Sequence, residues 1–245
     1  MEYCNKVILV TGGSRGIGAG IVRLLALNGY KVILNYNKSE NCAKDIKEQL
    51  KKENINIDII KADVTNKADI SYMINKIIEK YGRIDVLINN AGISQEKLFL
   101  DLSDEDWKNI MEVNLDSVYY CTKMVLPYML ANKTGCIINI SSIWGVTGGS
   151  CEVAYSTTKA AINGFTKALA KEMGPSNIRV TCIAPGIIDT DMNKNLSKED
   201  IERIKEEIPL NRIGQSEDIA KCAKWLIEDK YTTGQIINVN GGWFI

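Results

Sequence analysis

The sequence contains no histidine among its 245 residues. This absence excludes catalytic systems in which a serine or cysteine nucleophile depends on a histidine base, and it removes the commonest nitrogen ligand of metals. Proton transfer in an active site must therefore use tyrosine, lysine, a carboxylate or water. The seven cysteines are scattered and form no C-x-x-C pair. We expect reduced thiols, no zinc site and no other metal.

The sequence also lacks an excess of charge of either sign. Its 30 basic and 30 acidic residues cancel, so no overall field attracts nucleic acid or an anionic membrane, and we expect neither as a partner. Residues 1–6 show no leader pattern, and no apolar run is long enough to span a bilayer. These features predict a protein of the cytoplasm.

Short apolar runs alternate with longer amphipathic stretches along the whole chain. This alternation predicts a parallel sheet with helices on both faces. We therefore predict one α/β domain over residues 1–245, a doubly wound Rossmann fold with a seven-stranded sheet. The predicted strands are Val7–Val10, Val32–Leu34, Ile57–Ile60, Ile84–Ile88, Cys136–Ile140, Arg179–Ala184 and Gln235–Val239, and the predicted helices are Gly18–Asn28, Glu40–Glu53, Asp69–Tyr81, Asp104–Leu130, Tyr155–Met173 and Ser216–Glu228.

One segment, residues 187–212, interrupts this alternation. It is long and polar, it contains a short charged stretch of helical character near Lys198–Glu207, and it then reaches Pro209. Because it follows the carboxyl end of a strand, where such sheets bind ligands, it is predicted to be a mobile substrate-binding lid.

A glycine-rich segment, Thr11–Gly18, lies between the first strand and the first helix. Glycines there let backbone N–H groups approach a pyrophosphate, and the helix N-terminus supplies positive potential. The placement predicts a dinucleotide site. Its predicted ligands are Gly12, Ser14, Arg15, Gly16, Ile17 and Gly18.

The second predicted strand indicates which dinucleotide binds. Enzymes that use NAD usually place a carboxylate at its end to hold the ribose 2′-hydroxyl. Here the strand runs into Leu34–Asn37, and no carboxylate occurs before Glu40. Arg15, Asn35 and Lys38 offer partners for a 2′-phosphate instead. The sequence therefore predicts NADPH/NADP+ as the cofactor.

Polar clusters follow two later strands. Asn89–Gly92 follows the fourth, where small residues allow a cofactor to lie close, and Ser142 follows the fifth. Tyr155 and Lys159 are four residues apart and share one helix face. Reduction of a ketone needs a proton donor, and a phenol serves if its pKa is lowered. The nearby Lys159 ammonium and the oxidised nicotinamide are together expected to lower the pKa of Tyr155 well below its usual ~10.

Two further residues complete the predicted catalytic group. Ser142 is placed to hydrogen-bond the carbonyl oxygen of the substrate. Asn114, in the predicted helix from Asp104, is expected to position a water that passes protons to Lys159.

With these motifs the sequence resembles the short-chain dehydrogenase/reductase family over its whole length. The resemblance implies that Asp63 and Val64 hold the adenine and that Ile188 and Thr190 meet the nicotinamide amide. It also implies a homotetramer packed through the two long predicted helices and the C-terminal region. The residues that carry the resemblance are Thr11–Gly18, Asp63, Val64, Asn89, Asn90, Ala91, Gly92, Asn114, Ser142, Tyr155, Lys159, Pro185, Gly186, Ile188, Thr190 and Asn240–Gly242.

Within that family the sequence is similar to the 3-oxoacyl-[acyl-carrier-protein] reductases, which implies an acyl-carrier protein thioester as substrate. Lys133 fits a docking site for an acidic carrier, but the turn Gly174–Asn177 is neutral. At Trp144 and Glu152 the sequence is instead similar to that of reductases that act on an aminopentanone group of modified elongation factor P. Glu152 either pairs with the amine of such a substrate or caps a helix N-terminus. Both interpretations stay open.

A dinucleotide-binding sensor without catalysis is a third hypothesis, since one fold hosts many functions. Such sensors lack the tyrosine or the lysine, and both are present here. The last two aromatic residues, Trp243 and Phe244, are expected to pack against a neighbouring subunit rather than to touch substrate.

Overall fold

Seven strands form one parallel sheet in the computed structural model of the protein, which describes residues 5–194 and 196–245. Their order in the sheet is β3-β2-β1-β4-β5-β6-β7, and every pair is parallel. The predicted doubly wound fold is confirmed. The strands are β1 (Val7–Val10), β2 (Lys31–Tyr36), β3 (Asp58–Lys61), β4 (Val86–Asn89), β5 (Gly135–Ile140), β6 (Ile178–Pro185) and β7 (Ile236–Val239).

Helices cover both faces because the strands are apolar on both sides. In β1, Ile8 and Val10 join one buried cluster, whereas Val7 and Leu9 join the other. The first cluster contains side chains of α1, α2 and α9, and the second contains side chains of α3, α5 and α7. The helices are α1 (Gly16–Leu27), α2 (Glu40–Lys52), α3 (Lys67–Tyr81), α4 (Asp104–Met111), α5 (Ser117–Asn132), α6 (Trp144–Thr147), α7 (Val153–Met173), α8 (Lys198–Glu207) and α9 (Ser216–Glu228).

The strand order places the ends of β1 and β4 side by side. After β3 the chain crosses back past β1 and adds β4 on the other side of it. The order in which strands are added to the sheet therefore reverses between β1 and β4. In such sheets ligands bind in the crevice outside the carboxyl ends at this point. The glycine-rich segment after β1 and the Asn90–Gly92 segment after β4 both border that crevice.

The single helix predicted over Asp104–Leu130 is wrong in one respect. A π-helical turn, Glu112–Asp116, separates α4 from α5. The turn contains one residue more per hydrogen-bonded ring than an α-helix, and the apolar periodicity of the sequence does not mark it. Asn114 lies in this turn and is fully buried.

The predicted lid follows β6. It contains a 3₁₀ turn at Asp191–Asn193 and the helix α8, whose N-terminus is closed by a reciprocal capping box between Ser197 and Asp200. A short bridge joins Ile188 to Gly214 across its base. Asn195 lies outside the described residues, and the mobility of the segment stays a prediction. No helix in residues 5–194 or 196–245 has both the length and the apolar character needed to cross a membrane.

Candidate active site

The glycine-rich segment forms a tight turn between β1 and α1. Gly12 and Gly16 have φ angles of +61° and +51°, a region that favours glycine. A Cβ atom on Gly18 would collide with the Gly12 carbonyl and the Asn90 amide. No side chain caps α1, and its first turn contains no acidic residue. The N–H groups of this helix therefore remain available to an anion, which fits a dinucleotide pyrophosphate.

The end of β4 holds this turn in place. The Thr11 hydroxyl accepts hydrogen bonds from the backbone N–H groups of Asn90 (3.0 Å) and Ala91 (3.1 Å). The Asn90 amide donates to the carbonyl oxygens of Thr11 and Gly12, both at 3.0 Å. Asn90 and Ala91 thus lie beside the predicted pyrophosphate site, and Asn90 stabilises its backbone.

Asn35 has a different position from the one expected of a phosphate ligand. Its side chain is 2% exposed. Its Oδ1 accepts from the Gly12 N–H (3.2 Å), and its Nδ2 donates to the carbonyls of Ala62 (2.9 Å) and Ile60 (3.4 Å). Both of its N–H donors are therefore engaged within the protein. Asn35 connects β2, β3 and the glycine turn and has no donor free for a 2′-phosphate.

Arg15 and the lid meet at the rim of the turn. The side chain of Arg15 is 57% exposed, and its Nη1 lies 3.7 Å from Asp191 Oδ2 at the start of the lid. A Cβ on Gly16 would lie 3.3 Å from the methyl group of Thr190. Thr190 therefore contacts the glycine turn, while Ile188, at the base of the lid, is buried in the first core cluster.

Asp63 and Val64 lie just beyond the end of β3. The Asp63 carboxylate accepts hydrogen bonds from Asn37 Nδ2 (2.8 Å) and from the backbone N–H and hydroxyl of Thr65 (2.9 and 2.8 Å). Burial opposes the ionisation of this carboxyl, but these hydrogen bonds outweigh it and lower its pKa. Val64 is buried in the second core cluster.

Pro185 and Gly186 form the end of β6. The Pro185 carbonyl accepts from the Ile143 N–H (2.9 Å), and the Gly186 N–H donates to the Val239 carbonyl (3.0 Å). A Cβ on Gly186 would lie 2.8 Å from Asn240 Cβ. Glycine is thus needed where β6 passes the C-terminal segment.

Ser142, Tyr155 and Lys159 lie together at the carboxyl end of β5, and all three are buried. Tyr155 and Lys159 are on the first two turns of α7. Lys159 Nζ donates to the Ile140 carbonyl (2.9 Å) and lies 5.5 Å from the centre of the Tyr155 ring. The Ser142 hydroxyl lies close enough to Tyr155 to act on the pKa of that phenol. The structure thus assembles a hydroxyl, a phenol and an amine in one small space.

The protein by itself does not lower the pKa of Tyr155 as expected. Burial raises this pKa to about 12, which outweighs the opposite effect of the nearby Ser142 hydroxyl. Burial also lowers the pKa of Lys159 to about 8. In the protein alone desolvation is the larger effect, and the lowering of the Tyr155 pKa by Lys159 together with the oxidised nicotinamide stays a prediction.

Asn114 reaches this group through the π-helical turn. Its Oδ1 accepts from the Ile93 N–H, and its Nδ2 donates to the Ile93 carbonyl, both at 2.8 Å. A second Nδ2 contact goes to the Thr158 hydroxyl (3.3 Å). A Cβ on Gly92 would lie 3.3 Å from Asn114 Oδ1 and 3.5 Å from Lys159 Nζ. Asn114 and Lys159 therefore border the same point, and the proton relay between them stays a prediction.

Sequence reasoning missed two residues that fix Lys159. The Ser141 hydroxyl donates to the Lys159 carbonyl (2.9 Å). Gly145, in α6, approaches so closely that a Cβ would lie 2.7 Å from the Lys159 carbonyl carbon. For Gly145 the sequence signal was a glycine three residues after Ser142. It lies in a loop whose short helix, α6, is not marked by apolar periodicity.

Glu152 precedes α7 but forms no side-chain capping hydrogen bond. Among the residues that the structure describes, its Oε2 is buried and has no hydrogen-bond partner. Burial and the nearby charge of Glu96 raise its pKa to about 7. The structure therefore does not show a side-chain capping bond, and it leaves one oxygen of this half-buried carboxyl without a hydrogen bond to the described residues.

Comparison with known proteins gives the family. A model of the short chain dehydrogenase family matches residues 6–202 of the chain. The chain belongs to the short chain dehydrogenase family. It is therefore an oxidoreductase that acts on a CH–OH or C=O group with a nicotinamide dinucleotide.

Relatives within this family match along nearly the whole chain. A 3-oxoacyl-[acyl-carrier-protein] reductase FabG of Staphylococcus epidermidis is 39% identical over 243 residues, which covers 98% of this chain and 100% of the relative. A protein of the same name from Chlamydia muridarum is 41% identical and covers 97% of both chains. An uncharacterized oxidoreductase, YmfI of Bacillus subtilis, is 39% identical and covers 98% and 99%.

Proposed function

We propose that this dehydrogenase uses NADPH to reduce a ketone to a secondary alcohol, and that the ketone is a 3-oxoacyl group on an acyl-carrier protein. The observation that carries the chemistry is the joint burial of Tyr155 and Lys159 beside Ser142. The names of the relatives from Staphylococcus epidermidis and Chlamydia muridarum support the choice of substrate. We propose Asn114, Ser142, Tyr155 and Lys159 as the catalytic group.

The bound dinucleotide supplies the hydride. Ser142 and Tyr155 orient the substrate by hydrogen bonds to its carbonyl oxygen, and Tyr155 donates the proton that this oxygen needs. Lys159, held by the Ile140 carbonyl at 2.9 Å, places its ammonium by the Tyr155 ring and stabilises the phenolate that forms. Burial excludes water and strengthens each of these electrostatic interactions.

The preference for NADPH is supported by the rim of the glycine turn. The Arg15 side chain is exposed and its contact with Asp191 is long (3.7 Å), so it can exchange this contact for a 2′-phosphate; Lys38 lies exposed just after β2. The residues at this end of β2 are Asn35, Tyr36 and Asn37, so no carboxylate repels a phosphate there. Asp63, just after β3, is hydrogen-bonded to Asn37.

We propose residues 187–212 as the lid over this site and a homotetramer as the assembly. The contact of Asp191 with Arg15 joins the start of the lid to the dinucleotide turn. Exposed aromatic side chains on α4 and α5, Trp107 and Tyr119, support packing of these helices against another copy.

Glu152 favours a second candidate, reduction of an aminopentanone group on modified elongation factor P. One oxygen of the half-buried Glu152 carboxylate has no hydrogen-bond partner within the described part of the chain, and an alkylammonium group of a substrate would provide one. The turn Gly174–Asn177 carries no positive charge for an acidic carrier. Both candidates use the same catalytic group.

NADPH oxidation with two substrates in parallel separates the candidates. The substrates are acetoacetyl-acyl-carrier protein and aminopentanone-modified elongation factor P, with NADH as the cofactor control and Glu152→Gln as the matched variant. Turnover of the carrier substrate, unchanged in Glu152→Gln, supports the first candidate. Turnover of the modified factor alone, lost in Glu152→Gln, supports the second. Turnover of neither contradicts the proposed function.

A further inference from the structure

Three aromatic rings from distant parts of the sequence meet beside the proposed catalytic serine. Trp144 is the first residue of α6, and Trp243 and Phe244 stand next to the C-terminal residue. The Trp144 ring centre lies 5.6 Å from that of Trp243 and 6.3 Å from that of Phe244, both in edge-to-face geometry. The Trp243 and Phe244 rings are 5.5 Å apart. We call these three residues the aromatic cluster.

Polar bonds hold the C-terminal segment in this position. Asn240 Oδ1 accepts from the Gly242 N–H (3.0 Å), and its Nδ2 donates to the Phe244 carbonyl (2.8 Å). The indole N–H of Trp243 donates to Glu207 at the end of α8 (3.1 Å). The segment is therefore fixed both by its own turn and by the lid helix.

Trp144 connects this segment to the catalytic group. Its backbone N–H donates to the Ser142 hydroxyl (3.2 Å). Its side chain packs against the buried cluster that contains Ala154 and Tyr155. A displacement of the Trp144 ring therefore changes the surroundings of Tyr155, while the Trp144 backbone is bonded to Ser142.

We propose that Trp243 and Phe244 act on their own chain as the outer wall of the substrate site, and that they hold Trp144 against the carbon chain next to the reacting ketone. The proposal rests on the proposed function, because it takes Ser142 and Tyr155 as the groups that bind the carbonyl oxygen. Aromatic edges and faces at these distances suit an uncharged hydrocarbon segment. Trp243 is in this account a positioning residue that acts through Trp144.

Steady-state kinetics of full-length Trp243→Ala tests this role. The probe is ethyl acetoacetate, a 3-oxo ester without a carrier protein. We expect KM for the ester to rise about three- to tenfold, the effect of one lost aromatic contact. The change in kcat should stay below about twofold, because the wall binds ground state and transition state alike. Binding of NADPH, followed by nicotinamide fluorescence, should not change.

Matched variants separate this role from a general loss of structure. Trp243→Phe keeps a ring and should restore most of the wild-type KM. Trp225→Ala removes an exposed tryptophan of α9 that is outside the aromatic cluster and should leave KM unchanged. Glu207→Ala releases the indole N–H and should raise KM in the same direction. If Trp243→Ala does not bind NADPH, the KM of Glu207→Ala for the ester is the test of the positioning role.

If the wild type is active and Trp243→Ala and Glu207→Ala have the same KM for the ester as the wild type, the inference is overturned and the proposed function stays intact. A wild type that reduces no ketone overturns the proposed function, and the inference with it. A rise in KM only in Trp243→Ala and Glu207→Ala supports both.

Discussion

Asn114 exchanges two 2.8 Å hydrogen bonds with the backbone of Ile93, one accepted and one donated by its carboxamide. This reciprocal pair joins the π-helical turn between α4 and α5 to the loop after β4. The start of this loop, Asn90 and Ala91, lies against Gly12 of the glycine turn, and Asn114 borders Lys159 near Gly92. The pair of hydrogen bonds therefore connects the proposed dinucleotide site to the proposed catalytic group.

Replacement of Asn114 by alanine should lower both stability and activity. The substitution leaves the N–H and carbonyl of Ile93 without their partners, at a cost of about 1–3 kcal/mol. Urea unfolding measures the loss, with Asn109→Ala on the exposed face of α4 as the control. A free energy of unfolding within about 0.5 kcal/mol of wild type would show that this pair does not stabilise the fold.

Replacement of Arg15 by methionine should weaken the use of NADPH selectively. Charged hydrogen bonds contribute about 1.5–3 kcal/mol, and the exposure of Arg15 places the effect near the lower value. We expect KM for NADPH to rise about tenfold and KM for NADH to stay constant. Arg23→Met, farther along α1, is the matched control. An equal rise in both KM values would refute the assignment of the 2′-phosphate to Arg15.

Glu152→Gln should change how stability depends on pH. Burial and Glu96 raise the pKa of Glu152 from the usual 4.5 to about 7 in the folded protein. The folded protein therefore binds more protons than the unfolded chain between these values, and wild-type stability falls as pH rises through this window. Glutamine does not titrate. The free energy of unfolding of wild type relative to Glu152→Gln should thus be lower near pH 8 than near pH 5.

The same urea titrations in both proteins give the comparison. A relative stability that is constant across that range would mean that the Glu152 carboxyl keeps its ordinary pKa in the folded protein.

Cys151 adopts a left-handed backbone conformation with φ of +60°. Cys151→Gly should keep ketone reduction at the wild-type rate, because glycine accepts this conformation and no thiol chemistry is proposed. Cys151→Val should lower the melting temperature, since a β-branched residue is strained there by about 1–2 kcal/mol. Thermal unfolding and NADPH oxidation of both variants provide the check. Loss of activity in Cys151→Gly would instead indicate a role for the thiol.

Much of the fold follows from sequence because its signals are local. The four residues of β1 are all apolar, as a strand buried on both faces requires. The helical spacing of Tyr155 and Lys159 gave their common face directly. The predicted helix near Lys198–Glu207 has those same bounds in the structure.

Other features depend on neighbours that are distant in the sequence. The hydrogen bonds of Asn35 go to Gly12, Ile60 and Ala62, which only the folded sheet brings together. The raised pKa of Tyr155 follows from its burial, and burial is a tertiary property. Trp243 and Trp144 lie about a hundred residues apart in the sequence, and their contact places the Trp243 ring on its own subunit; the expected packing against a neighbour stays a prediction.

The most direct test of the central claim is the rate of ketone reduction by Tyr155→Phe, which removes only the proposed proton donor. The account predicts that kcat falls by a factor of about 10²–10⁴ while NADPH still binds as in wild type. Tyr72→Phe, an exposed tyrosine on α3, should retain full activity. Ketone reduction by Tyr155→Phe at the wild-type rate would contradict the account.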